Sequence, residues 1–141
     1  MTRTARLIGM TSSLLVSALA PVTGQTSIAT APHVIVVRLV QRDGPMPFAF
    51  EPTVVHVERG DTVRFTEAAN VMHNVRFISR APGAKLGAAT VGPYLMKLGD
   101  VYTIVIDSRF TDGTYTYVCE PHQMIGMKGT MIVSDKAHGE R

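Results

Sequence analysis

The sequence predicts an all-β domain, a sandwich or small barrel of seven or eight short strands. Three observations lead there. β-branched and aromatic residues gather in short runs with a period of two; Asp, Asn, Gly and Pro punctuate the gaps; and strands do not alternate with helical segments. The 141 residues are 45% hydrophobic and 18% charged, which suits one ordinary core and leaves no room for a second sizeable domain.

The elements follow in order. Residues 33–40 are nearly continuous β-branched residues, with Ile35, Val37 and Leu39 on one face. Asp43-Gly44-Pro45 breaks that strand, and Met46-Pro47-Phe48 reads as a loop bearing apolar side chains. Residues 53–58 alternate, Val55 and Val57 on one side against Val54, His56 and Glu58, and Arg59-Gly60-Asp61 is a turn. In the next strand Val63 and Phe65 face inward while Thr62, Arg64 and Thr66 face out. After Asn70, parity places His73, Val75 and Phe77 on a common face. Residues 80–99 carry Pro82, Gly83, Gly87, Gly92, Pro93 and Gly99, so they read as loop, with at most a short helix near 85–89. A buried strand is expected at 101–106. Asp112-Gly113 then turns the chain into a strand over 114–119, and 130–133 is the last.

The N-terminus reads as an export signal. Arg3 and Arg6 precede a mostly apolar, small-residue stretch over 7–20, too short to span a bilayer. Residues 1–24 are assigned to it, with cleavage between 20 and 31, leaving a domain over 33–134 and a polar tail over 135–141. Loss of Arg3 and Arg6 lowers the formal charge from +3 to +1. No run of Lys or Arg remains to engage nucleic acid. A single cysteine excludes an internal disulfide, a four-cysteine zinc site and a dinuclear copper centre bridged by two thiolates.

The chemistry sits at the end of the penultimate strand. Cys119-Glu120-Pro121-His122, followed by Met127, brings a thiolate, an imidazole and a thioether onto one loop, a soft set suited to copper. Tyr115, Tyr117 and Cys119 share a parity, so the sulfur is delivered inward. Pro121 stiffens the loop, and Gly126 and Gly129 are expected to allow a tight course around Met127. Such a loop covers three sides of one ion. His73, on a neighbouring strand and facing inward, is the candidate for the fourth. The amide of Asn74 is placed to reach the cysteine sulfur and tether the two segments.

These residues carry a resemblance. Asn70-Val71-Met72-His73-Asn74-Val75 and Gly113-Thr114-Tyr115-Thr116-Tyr117-Val118-Cys119-Glu120-Pro121-His122 resemble the two copper-ligand segments of plastocyanins, and Glu58-Arg59-Gly60-Asp61-Thr62-Val63 is similar to the turn before them. The stretch from Met124 to Met127 resembles pseudoazurin about as well, and amicyanins share the architecture. The likeness covers about 33–133. It implies a Greek-key cupredoxin sandwich with one mononuclear blue copper, held by His73, Cys119 and His122 with Met127 as a long axial ligand. His122 is then the exposed doorway for the electron, with an apolar collar of Pro121, Met124, Ile125, Met46, Phe48 and Met72.

The plastocyanin pattern is not followed throughout. Val118 stands beside the cysteine where plant plastocyanins carry a surface tyrosine, and 76–90 holds Arg76, Arg80 and Lys85 without an acid. The reading is therefore a monomeric periplasmic carrier without a membrane anchor, exchanging electrons with c-type cytochromes, oxidases or reductases that dock near His122. The alternative is a periplasmic protein that handles Cu(I) without redox cycling, which the surplus methionines would serve. An enzyme is not expected: a copper oxidase or reductase needs more histidines, and a cysteine hydrolase would leave Met127 without a role. His33, His56 and His138 read as surface residues, and Met96 and Met131 as packing.

Overall fold

The computed structural model describes residues 32–135; the export signal, its cleavage positions and residues 136–141 of the tail lie outside the described residues. Eight strands form: β1 (Val34–Gln41), β2 (Phe48–Glu51), β3 (Val54–Glu58), β4 (Thr62–Glu67), β5 (Arg76–Ser79), β6 (Val101–Val105), β7 (Gly113–Val118) and β8 (Lys128–Ser134). They make two four-stranded sheets, ordered β2-β1-β4-β6 and β3-β8-β7-β5. β1 runs parallel to β4 and β3 parallel to β8, and every other pair is antiparallel.

Register is set by which side chains must leave water. Pairing Val37 with Phe65 and Ile35 with Val63 puts the apolar positions of β1 and β4 on one face of the first sheet. Val55 opposite Met131 and Val57 opposite Val133 do the same in the second. The two faces meet in one core. Tyr117 is its hub, its ring edge-on to Phe50 at 4.8 Å and to Phe65 at 5.3 Å in the opposite sheet, and to Phe77 at 5.6 Å in its own. Burying each such side chain contributes roughly 1.5–3 kcal/mol.

Polar side chains close the turns. Asp61 is buried and accepts the backbone N–H groups of His33 and Glu58, both at 2.8 Å, which fixes the turn between β3 and β4. The Tyr115 hydroxyl donates to the Thr111 carbonyl at 2.7 Å and accepts its N–H at 2.8 Å, pinning the entry to β7.

Several expectations change. Phe48 opens a strand, because 48–51 pairs antiparallel with 38–41 of β1 and so satisfies the backbone that a loop would leave to water. β6 lies at a sheet edge with only Ile104 buried and Val101 and Val105 exposed; β-branched composition reads alike in edge and central strands. His73 and Val75 precede β5 rather than lying in it, yet both are buried as parity required. Met131 packs in the core, whereas Met96 is exposed. Gly87–Thr90 forms the short helical turn expected near 85–89.

Candidate metal centre

β7 delivers the cysteine. Tyr115, Tyr117 and Cys119 alternate inward and none is solvent-accessible. The chain beyond does not make an open hairpin loop: Glu120–Ile125 is a 3₁₀ segment with Pro121 in its first turn, ended by Gly126 at φ 88°, a conformation that favours glycine. Three backbone bonds fold this segment onto itself. His122 N–H donates to the Cys119 carbonyl at 3.1 Å, Met127 N–H to the His122 carbonyl at 3.1 Å, and Cys119 N–H to the Met127 carbonyl at 3.2 Å. Cys119, His122 and Met127 are thereby locked together, and His122 Nδ1 lies 3.4 Å from Cys119 Sγ. Met127 is fully buried. Gly129 acts differently from Gly126: it packs flat against Tyr117, whose ring atoms would lie about 2.5 Å from any added Cβ.

His73 arrives from the other side. Its backbone forms an isolated bridge with Leu95, donating at 3.1 Å and accepting at 2.8 Å. Its ring is inaccessible to solvent and its centroid lies 4.9 Å from that of His122. Phe48 packs against both imidazoles, 4.1 Å from His122 and 5.3 Å from His73. Two partners, Glu67 and Glu120, were not foreseen from the sequence. Glu67, also buried, holds His73 Nδ1 at 2.8 Å through Oε2. Asn74 does tether the two segments, but its side chain goes to Glu120: Oδ1 accepts the Glu120 N–H at 2.8 Å and Nδ2 donates to Oε2 at 2.6 Å. A carboxylate beside the sulfur offers the amide a stronger partner than the thiol does. The signal for Glu67 was present in the strand parity, since Val63, Phe65 and Glu67 fall on one face.

Burial pushes the Cys119 thiol up, while the backbone N–H groups of Asn74 and His122 pull it down and Glu67 and Glu120 raise it further. Burial holds the His122 imidazole below its ordinary value, and the neighbouring His73 adds to that. The Glu120 carboxyl is held low, chiefly by Asn74 and then by Arg76, which donates to Oε1 at 2.8 Å.

The donor chemistry fits a soft one-electron metal. A thiol, two imidazoles and a thioether are the candidates, and His73 Nε2 is a buried nitrogen without a hydrogen-bond partner. Among the described residues no three His, Cys, Asp and Glu side chains form a metal-holding group by themselves, and Nδ1 of His73 lies 2.8 Å from Glu67 Oε2. The outer rim is apolar. Met124 is 95% exposed, Met46 61%, and Ile125 and Met72 about two-fifths, while His122 itself is partly exposed.

Comparison with known proteins agrees with this geometry. Residues 35–134 match the family model of copper binding proteins of the plastocyanin/azurin family. Plastocyanin of Scenedesmus fuscus is 42% identical over 86 residues, covering 60% of this chain and 85% of that protein. Oxidised plastocyanin of Dryopteris crassirhizoma superposes with a TM-score of 0.58 at 30% identity, covering 70% of this chain and 99% of that one. Pseudoazurin of Methylobacterium extorquens AM1 gives 0.54 at 25% identity, over 74% and 78%. The eight-stranded sandwich, the Cys119–Met127 loop and the match over nearly all the described residues make this chain a member of the plastocyanin/azurin family, a cupredoxin with one mononuclear type 1 copper as its cofactor.

Proposed function

We propose that this protein carries single electrons between redox proteins of an exported compartment, holding its copper with His73, Cys119, His122 and Met127. Bound copper supplies a Cu(II)/Cu(I) couple that takes one electron from a reduced donor and passes it to an oxidised acceptor. The observation that carries the ligand set is the 3.4 Å approach of Cys119 Sγ and His122 Nδ1 on a loop closed by its own backbone bonds, beside the buried ring of His73. That closure keeps three of the four residues in place whatever the oxidation state, so little has to rearrange when charge changes. Phe48 packs against the two imidazoles. His122, the partly exposed member, is the route to the surface, and Met46, Met72, Met124 and Ile125 form an apolar docking rim suited to brief encounters.

The partners proposed are c-type cytochromes, oxidases or reductases, and the compartment is the periplasm, on the strength of residues 1–24. Among the described residues no helix is long and apolar enough to cross a membrane. A second reading, Cu(I) handling without redox cycling, draws on the exposed thioethers of Met46, Met72 and Met124.

Titration of the purified protein with Cu(II) separates the two. A carrier develops an intense blue thiolate-to-copper band that bleaches with a mild reductant and returns on oxidation, and Cys119→Ser abolishes it. Weak or transient colour with tight Cu(I) binding would reject the carrier.

A further inference from the structure

We propose that a cavity beside the copper site receives an acidic side chain of the redox partner, recognised by Lys128 and Arg42. This rests on the electron-carrier reading and names the kind of partner it serves. The cavity, about 200 Å³, lies between the loop that follows β1, the start of β2 and residues 126–128. Small-molecule sites measure roughly 300–1,000 Å³, so this one suits a single inserted side chain rather than a free ligand. Met46, Phe48 and Ala49 give it an apolar lining. Phe48 is the wall shared with the metal centre, since the same ring packs 4.1 Å from His122. Met46 folds over the opposite side, its Sδ 3.0 Å from where a Cβ on Gly126 would stand. A group held here is one ring away from the partly exposed imidazole proposed as the electron's route.

The polar side chains of the lining are Arg42, Lys128 and Thr53, and no carboxylate is among them. Arg42 donates to Glu51 Oε1 at 2.7 Å. Lys128 is exposed at the first position of β8 and has no ion-pair partner among the described residues. Arg76, by contrast, is matched by Glu120 at 2.8 Å. The charge of Lys128 is therefore available to a visitor. A glutamate or aspartate satisfies both halves of the lining, its methylenes on Phe48 and Met46 and its carboxylate at Lys128 and Arg42. An apolar side chain would cover the ammonium without pairing it, and a cationic one would be repelled. Complementary charge of this kind acts on encounter rate and partner choice more than on affinity, which suits a carrier that must release its partner after each electron.

One cytochrome in two charge states provides the test: a lysine-rich c-type cytochrome, and the same protein with its lysines succinylated so that each ammonium becomes a carboxylate. The reduced, copper-loaded protein is mixed with each ferric form by stopped flow, and one electron passes to the haem iron. Both forms draw on the same copper, so the ratio of their rates cancels any change in the couple itself. Exchange with the succinylated form is expected to slow as ionic strength rises to about 0.15 M. Lys128→Glu is expected to lower the succinylated-to-native rate ratio about tenfold at low salt. Ala49→Leu fills the cavity without touching charge, and is expected to slow the succinylated form about threefold. A ratio within twofold of the parent's in Lys128→Glu, or an unchanged rate in Ala49→Leu, would overturn the proposal. No exchange with either cytochrome removes the carrier reading and this proposal with it, whereas exchange indifferent to Lys128 removes this proposal alone.

Discussion

Asn74 and Glu120 are joined twice, by Glu120 N–H to Asn74 Oδ1 at 2.8 Å and by Asn74 Nδ2 to Glu120 Oε2 at 2.6 Å. The residue after His73 is thus clamped to the residue after Cys119, across 46 positions of chain. Asn74 is fully buried, so the pair works out of reach of competing water.

Asn74→Ala removes both bonds and leaves the Glu120 N–H without its partner. We expect a loss of about 1–3 kcal/mol, seen as a Tm lowered by roughly 5–15 °C in the metal-free protein. A Tm unchanged within a degree would show that the clamp does not hold the two segments.

Tyr117 presents the opposite case. Its hydroxyl is buried without a hydrogen-bond partner, and burial pushes its ionisation far up. The ring, not the hydroxyl, packs against Phe50, Phe65 and Phe77. Tyr117→Phe should therefore raise stability, by about 1 kcal/mol, measured as a higher urea midpoint at constant slope. A lower midpoint would mean that the hydroxyl has a partner after all.

Gly129→Ala drives a methyl into that same ring, where no flexible end can yield. The expected cost is about 1–3 kcal/mol, as for overpacking in a filled core. Chemical denaturation reads it directly, and a neutral result would show that Tyr117 can shift.

Acid acts through exposed carboxylates. Asp100 is held below its ordinary 3.8 by the backbone N–H groups of Met96 and Lys97, which donate to Oδ2 at 2.8 and 2.9 Å. With its folded value depressed, its contribution is present above 3.8 and is lost as pH falls through the lower folded value. Asp100→Asn keeps an accepting oxygen but no charge. Its Tm is expected to fall less steeply than the parent's below pH 3.8, and parallel profiles would discount the residue.

Met124→Lys places a charge on the most exposed side chain of the rim without touching the core. Stopped-flow exchange with a cytochrome should slow while the blue band stays in place. Unchanged kinetics would move the docking face elsewhere.

Much of this molecule is legible along the chain. The period of two put Val37, Leu39, Val55, Val57, Val63, Phe65, Tyr115, Tyr117 and Cys119 inside, and all are buried, because alternation follows from strand geometry whatever the partner strand. The spacing of Cys119, His122 and Met127 is likewise local, and nine residues suffice for the backbone to close on itself. The β2 strand was not legible. Phe48–Glu51 is short and follows a Pro-rich turn, and only the antiparallel edge of β1 makes it a strand. The edge position of β6 was hidden for the same reason, since strand order is not written in composition.

By itself, the order of amino acids determined the all-β architecture, the inward faces and the copper family, since each depends on short-range spacing and on which side chains leave water. Only the tertiary structure decided that Glu67 meets His73, that the Asn74 side chain bonds Glu120 rather than the sulfur, and that Phe48 packs against both imidazoles. Those contacts join separate strands and loops, and a buried carboxylate or amide takes whichever partner packing brings within hydrogen-bond reach.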